Sequence, residues 1–175
     1  MSQYDTNIYT ESDGSKWIRI FHHNNPTSYL FASTDDFTKD VYKDANRWAS
    51  LYLLKDLDIK EIMVKQTATS DGAATSYRWY QPKNPIDSTY ADVAKANIIF
   101  HPGYTAANSS YGGIYLNKGN TYLTANNGTQ SNWWGAFGSW TAHDGGTPGY
   151  SATTIKTGYM DLYIPYKEPE AWVKI

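Results

Sequence analysis

The apolar positions of this chain fall in short runs separated by clusters of Gly, Pro, Asn and Ser. That is the rhythm of strands joined by turns. Residues 1–15 are polar and read as an N-terminal arm ahead of a single domain over 16–175. Trp17-Ile18-Arg19-Ile20-Phe21 predicts a first strand, closed by the turn formers His22-His23-Asn24-Asn25-Pro26. Tyr29 to Ala32 is a second short run. Thr34, followed by Asp35 and Asp36, is the candidate cap of one brief helix reaching about Tyr42, because acids suit a helix N-terminus. Trp48 to Leu54 and Ile59 to Gln66 read as buried strands. Ile62-Met63-Val64 lacks the alternation of a half-exposed strand, which predicts cover on both faces.

The second half keeps this rhythm. Strands are predicted over Tyr77 to Gln81, Ala96 to His101, Gly113 to Leu116, Thr121 to Ala125, Trp133 to Trp140 and Gly158 to Tyr166. Between them lie Pro82-Lys83-Asn84-Pro85, Asn117-Lys118-Gly119-Asn120, Asn126-Asn127-Gly128 and Asp144-Gly145-Gly146-Thr147-Pro148-Gly149. About ten strands with turn signals between them predict an all-β fold, an antiparallel β-sandwich or jelly roll with at most one short helix.

Composition supports sheet over bundle. Seven Trp, sixteen Tyr and five Phe carry much of the 41% apolar content, while thirteen Gly and seven Pro supply turns. A net charge of −2 with only three Arg leaves no basic stripe for a phosphate backbone, so nucleic acid is excluded as an expected partner. No apolar run approaches a membrane span, so no membrane insertion is expected. The opening residues lack a charged-then-apolar leader, and cysteine is absent. These features predict a chain that begins in a cytoplasm, or is a fragment of something longer, and folds in a reducing compartment; a protein acting outside the cell would then leave by a route other than secretion, release by lysis being one.

The residue patterns of catalysis are missing. Glycoside cleavage needs two facing carboxylates. The four Glu are Glu11, Glu61, Glu168 and Glu170, and most of the thirteen Asp stand in turn contexts. Asp161, inside an apolar run, is the oddly placed acid, and alternation reads it as an outward-facing strand position. There is no Gly-x-Ser-x-Gly elbow and no phosphate loop. His22 and His23 are adjacent, so in a strand they point to opposite faces and cannot share one metal ion. They read instead as polar turn histidines. Asp35, Asp36 and Asp40 lack the spacing of a calcium loop. No enzyme activity, cofactor or metal is therefore expected, and nothing supports a structural calcium. Asn108-Ser109-Ser110 and Asn127-Gly128-Thr129 fit the glycosylation pattern but read as chance in an Asn-rich chain.

What remains is the stretch from Tyr104 to Tyr150, where aromatic rings alternate with Asn, His and Asp. Saccharides want this mixture: their C–H faces stack on rings, and their hydroxyls need amide and carboxylate partners. The candidate carbohydrate-binding residues are Tyr104, Tyr111, Trp134, Trp140, His143 and Asp144. In Trp133-Trp134-Gly135-Ala136-Phe137, alternation puts Trp133 and Phe137 on one face and Trp134 on the other. Trp140, flanked by Ser139 and Thr141, is the better exposed candidate.

Several segments, in order, resemble a known family. They are Trp17-Ile18-Arg19-Ile20-Phe21-His22-His23-Asn24-Asn25, Leu30-Phe31, Arg78-Trp79-Tyr80-Gln81-Pro82-Lys83-Asn84-Pro85, Tyr111-Gly112-Gly113-Ile114, Trp133-Trp134-Gly135-Ala136-Phe137-Gly138, Gly145-Gly146-Thr147-Pro148-Gly149 and Met160-Asp161-Leu162-Tyr163-Ile164. Together they are similar to the discoidin-like receptor-binding domains of phage tail fibres and baseplates. Pro82-Lys83 departs from that family's Thr-Ser, Arg47 to Lys65 matches only in hydrophobic pattern, and the stretch from Lys167 to Ile175 has no counterpart. The resemblance implies a β-sandwich that binds host cell-surface polysaccharide or oligosaccharide. It also implies a virion tail protein assembled in the bacterial cytoplasm, with other tail proteins as partners and a homo-oligomeric state. The alternatives are a structural virion or baseplate subunit with aromatic protein–protein interfaces, and a carbohydrate-active enzyme.

Overall fold

A computed structural model describes residues 8–24, 30–33, 36, 39–56, 59–68, 74–81, 83–87, 97–100, 114–115, 123–126, 133–138 and 157–166. Eleven strands are present among them: β1 (Ile8–Thr10), β2 (Lys16–Asn24), β3 (Asp40–Asp44), β4 (Arg47–Ser50), β5 (Glu61–Ala68), β6 (Ala74–Tyr80), β7 (Asn97–Phe100), β8 (Ile114–Tyr115), β9 (Leu123–Asn126), β10 (Trp133–Phe137) and β11 (Thr157–Pro165). A single helical turn, α1 (Leu53–Asp56), follows β4. The all-β class is therefore what the chain adopts. Every strand pairing is antiparallel. The main sheet has eight strands in the order β3-β4-β2-β11-β5-β6-β7, with β1 paired to β2 off this path, and β10-β9-β8 form a second sheet.

One large core lies on one face of the main sheet. Ile20, Phe21, Val41, Ala49, Ile62, Val64, Met160, Leu162 and Ile164 supply that face. Ile114 of β8 and Phe137 of β10 enter the same core from outside the main sheet, with Leu30, Phe31, Leu51 and Leu54. Phe21 meets Phe137 edge-on at 6.3 Å and Phe31 at 6.2 Å between ring centroids. A smaller cluster of Trp17, Met63 and Tyr163, with Tyr9 against it, occupies the opposite face. Met63 is thus buried away from its neighbours Ile62 and Val64, as the unbroken apolar run predicts.

Four local expectations are corrected. Residues 40–44, expected to continue a helix from Thr34, form β3: Val41 pairs with Ala49 and enters the core while Tyr42 is exposed. The alternation, together with the tight connection at Ala45–Asn46, outweighs the acidic cap signal. The predicted strand Trp48–Leu54 stops at Ser50, and α1 then drives Leu54 into the core. His22 and His23 are not turn residues; β2 runs through both to Asn24. Finally, Ile8–Thr10, expected in the arm, pair with β2 across a hairpin in which Gly14 takes a left-handed φ of 83°.

Gly138, at the end of β10, also lies in the left-handed region, at φ 96°. Its carbonyl accepts from the Leu30 amide at 2.9 Å, and a β-carbon there would stand 2.6 Å from the Phe31 ring. No such obstruction surrounds Gly14. Both substitutions to Ala meet backbone strain, but only one meets the core. Gly138→Ala is expected to cost about 3 kcal/mol and Gly14→Ala about 1 kcal/mol. Urea unfolding checks this: the midpoint should fall clearly more for Gly138→Ala, with the slope unchanged in both.

Candidate functional site

Strand directions determine which connections gather where. β2 ends at Asn24 beside Tyr159, near the start of β11. β5 ends at Ala68 beside Thr157, and β7 runs toward that same end of the sheet as it reaches Phe100 beside Tyr77. The β3–β4 turn is there too, with the Asn24 amide donating to the Asn46 carbonyl at 2.8 Å. The chain therefore leaves β7 and enters β11 at one common end of the main sheet. Segment 101–113, with Tyr104 and Tyr111, starts from that end; segment 139–156, with Trp140, His143 and Asp144, returns to it. These five residues lie outside the described ones. Trp134 lies within β10, at a register slip: Trp133 pairs with Asn126 and Gly135 with Ala125, so Trp134 is the extra residue. The side chains of Trp133 and Trp134 lie outside the described ones.

A second arrangement, which sequence reasoning did not assemble, lies on the face of the main sheet opposite the large core. Tyr42, Trp48, His22, Asp161, Lys65 and Ser76 are successive cross-strand partners through β3, β4, β2, β11, β5 and β6. They form one transverse row. Arg19, Tyr163 and Met63 make part of the next row. Asp161, read as an outward strand position, does face away from the core, but it is only 4% exposed. Its Oδ1 is 2.5 Å from His22 Nδ1, while Oδ2 accepts from the Tyr163 hydroxyl at 3.2 Å and from Arg19 Nη1 at 3.4 Å. The Arg19 guanidinium lies 5.4 Å from the centroid of the buried Trp48 ring, a cation–π arrangement.

Arg19 and His22 are three residues apart, so in a regular strand they would face opposite ways. They share a face because the β2–β11 register skips one residue: Phe21 pairs with Leu162, but Arg19 pairs with Tyr163. Ile20 is the extra residue of this bulge, and both Ile20 and Phe21 are fully buried in the core. The adjacent apolar pair Ile20-Phe21 is a partial signal only, because Trp17-Ile18 in the same strand is also adjacent and apolar yet pairs regularly. On the same face, Lys65, the cross-strand partner of Asp161, pairs with the buried Glu11 at 2.9 Å and lies 3.5 Å from the centroid of the Tyr9 ring. This ties β1 to β5 across two intervening strands.

The histidine tautomer follows from the donors around it. His22 Nδ1 is 3.5 Å from Arg19 Nη1, which carries only donors, and 2.5 Å from an Asp161 oxygen, which is an acceptor. One nitrogen cannot accept from the guanidinium and donate to the carboxylate. The shorter contact decides: Nδ1 carries a hydrogen and donates to Asp161. Among the described residues, no group of three or more His, Asp or Glu is gathered as for a metal ion.

Gln81 serves as frame: fully buried after β6, it donates from Nε2 to the carbonyls of Ile114 at 3.0 Å and Lys83 at 2.8 Å. Its Oε1 accepts the Ile114 amide at 3.0 Å. The side chain thus bonds both backbone groups of Ile114 and joins the end of β6 to β8. The chain matches no protein-family model and no curated protein sequence.

Two substitutions test this geometry. Asp161→Ala leaves Arg19, His22 and Tyr163 without their shared acceptor and is expected to destabilise by about 2–4 kcal/mol. Gln81→Leu, which strands both backbone groups of Ile114, should cost a similar amount. Chemical denaturation measures each; a loss under about 0.5 kcal/mol in either would contradict the assigned contacts.

Proposed function

We propose that this chain is a non-catalytic β module that binds cell-surface saccharide, serving as a host-recognition domain of a phage tail. One observation carries most of the reading. The two segments richest in the ring-and-amide mixture that saccharides require follow Phe100 and precede Thr157, which lie toward one end of an antiparallel sheet. Aromatic residues on two separate connections suit an oligosaccharide, which is bound by several shallow contacts. The ordered likeness of segments to phage receptor-binding domains adds the biological setting. In that setting the protein is made in bacterial cytoplasm and works in a virion alongside other tail proteins. Single sites of low affinity then gain strength from repeated copies.

The test is binding of the purified protein to a glycan array and to host cell walls. Binding is expected, with no release of sugar products. Trp140→Ala and Tyr111→Ala should each weaken it about tenfold or more, the usual effect of removing an aromatic anchor. Undiminished binding in both variants would move the site elsewhere. Absence of binding to any saccharide, together with stable association with a tail protein, would make the chain a structural subunit. Turnover of a wall polysaccharide would make it an enzyme.

A further inference from the structure

We propose that Asp13-Gly14, in the hairpin between β1 and β2, is a latent site of spontaneous chain isomerisation, and that Ser15 is the residue that keeps it closed. The case begins with why this dipeptide stands there. The turn reverses at Gly14, whose φ of 83° strains any residue with a β-carbon. Space is not the constraint, since nothing lies within 4 Å of where that β-carbon would be. Glycine is therefore fixed by backbone conformation, and with it comes a main-chain nitrogen that no side chain screens. The exposed Asp13 directly before it supplies the carboxyl that such a nitrogen can attack.

Closure would join the Gly14 nitrogen to Asp13 Cγ. The protonated carboxyl loses its hydroxyl, which leaves as water with the amide hydrogen, and a cyclic imide remains. Water then opens the imide, and no other reactant is needed. Opening at the main-chain carbonyl routes the backbone through the Asp13 side chain and adds one methylene to it. The folded hairpin holds both partners back from this reaction. The Gly14 amide donates its hydrogen to the Glu11 carbonyl at 2.9 Å. Asp13 Oδ1 accepts from the Ser15 amide at 2.9 Å and from the Ser15 hydroxyl at 2.6 Å. A carboxyl oxygen holding two donors is neither free to turn nor ready to leave. The Ser15 hydroxyl is fixed in turn, because its oxygen accepts from Nε1 of the buried Trp17 at 2.8 Å. The guard is thus tied to the smaller core cluster. Its failure would reach beyond the turn: an added methylene lengthens a connection closed by the Glu11 amide on the Ser15 carbonyl at 2.9 Å, and Glu11 is the residue that β1 offers to Lys65.

Peptide mapping of the intact chain, kept at neutral pH over weeks, tests the idea. The chain has three Asp-Gly pairs, beginning at Asp13, Asp71 and Asp144, which fall in separate tryptic peptides and report independently. In the folded chain, isoaspartate at position 13 should form at least about tenfold more slowly than in the chain unfolded by guanidinium. Ser15→Ala should raise the folded rate about tenfold, the effect of losing one hydrogen bond. Ser15→Thr, which keeps the hydroxyl, should stay near the parent rate. Neither variant should change the rates at Asp71 and Asp144, and the Gly14 amide should stay protected from hydrogen exchange in Ser15→Ala. Equal rates in folded and unfolded chains would overturn the proposal, as would a Ser15→Ala rate no faster than the parent. Acceleration at position 13 together with loss of Gly14 protection would overturn the role of Ser15, because opening of the hairpin alone would then account for it.

Discussion

The skipped residue between β2 and β11 organises both faces of the main sheet. β2 and β11 are the central pair joining β4 on one side to β5 on the other. With Ile20 as the extra residue, β2 presents Ile18, Ile20, Phe21 and His23 toward the large core and Trp17, Arg19 and His22 to the other face. A regular strand would bury Arg19 with Phe21, or expose Phe21 with Arg19. Either outcome is costly, since an unpaired buried guanidinium and an exposed Phe each forfeit several kcal/mol at most sites. One local irregularity resolves the conflict. It also sets Asp161 between Arg19 and His22, so the placement of the polar cluster and the packing of the aromatic core share one cause.

The core then depends on close approaches that only particular residues permit. Phe21 is surrounded by Phe31 and Phe137, and the Phe31 ring fits because Gly138 has no β-carbon. Gln81 performs the complementary task for hydrogen bonding, bonding both backbone groups of Ile114 on the side of β8 away from β9. These contacts join segments far apart in sequence: Leu30-Phe31 with Gly138, and Gln81 with Ile114. Segments distant in the chain thus meet inside the molecule and hold one another in place.

The strand content and the two-sided cover of Ile62-Met63-Val64 were legible because they depend on local pattern. The opposite facing of His22 and His23 follows from period-two geometry only once β2 runs through both, where a turn was expected. The failures share a physical origin. Residues 40–44 look helical by their acids, but strand pairing with Arg47–Ser50 decides their conformation. The grouping of Arg19, His22, Trp48, Asp161 and Tyr163 requires the strand order and a register slip, neither of which a linear pattern encodes. A bulge was hinted at by adjacent Ile20 and Phe21, yet its partner strand lies some 140 residues away. The expected reading residues Tyr104, Tyr111, Trp140, His143 and Asp144 came from composition alone, which groups them without ordering them in space.

The aromatic richness of the chain can now be divided by what each ring does. Phe21, Phe31 and Phe137 fill the main core, while Trp17 and Tyr163 fill the smaller cluster on the other face. Trp48 is neither: it is buried beneath charged groups, where its π face holds Arg19 in place beside Asp161. A buried ring in that role removes freedom from the side chains above it, and a sheet pinned by its own register then holds those polar groups in fixed directions.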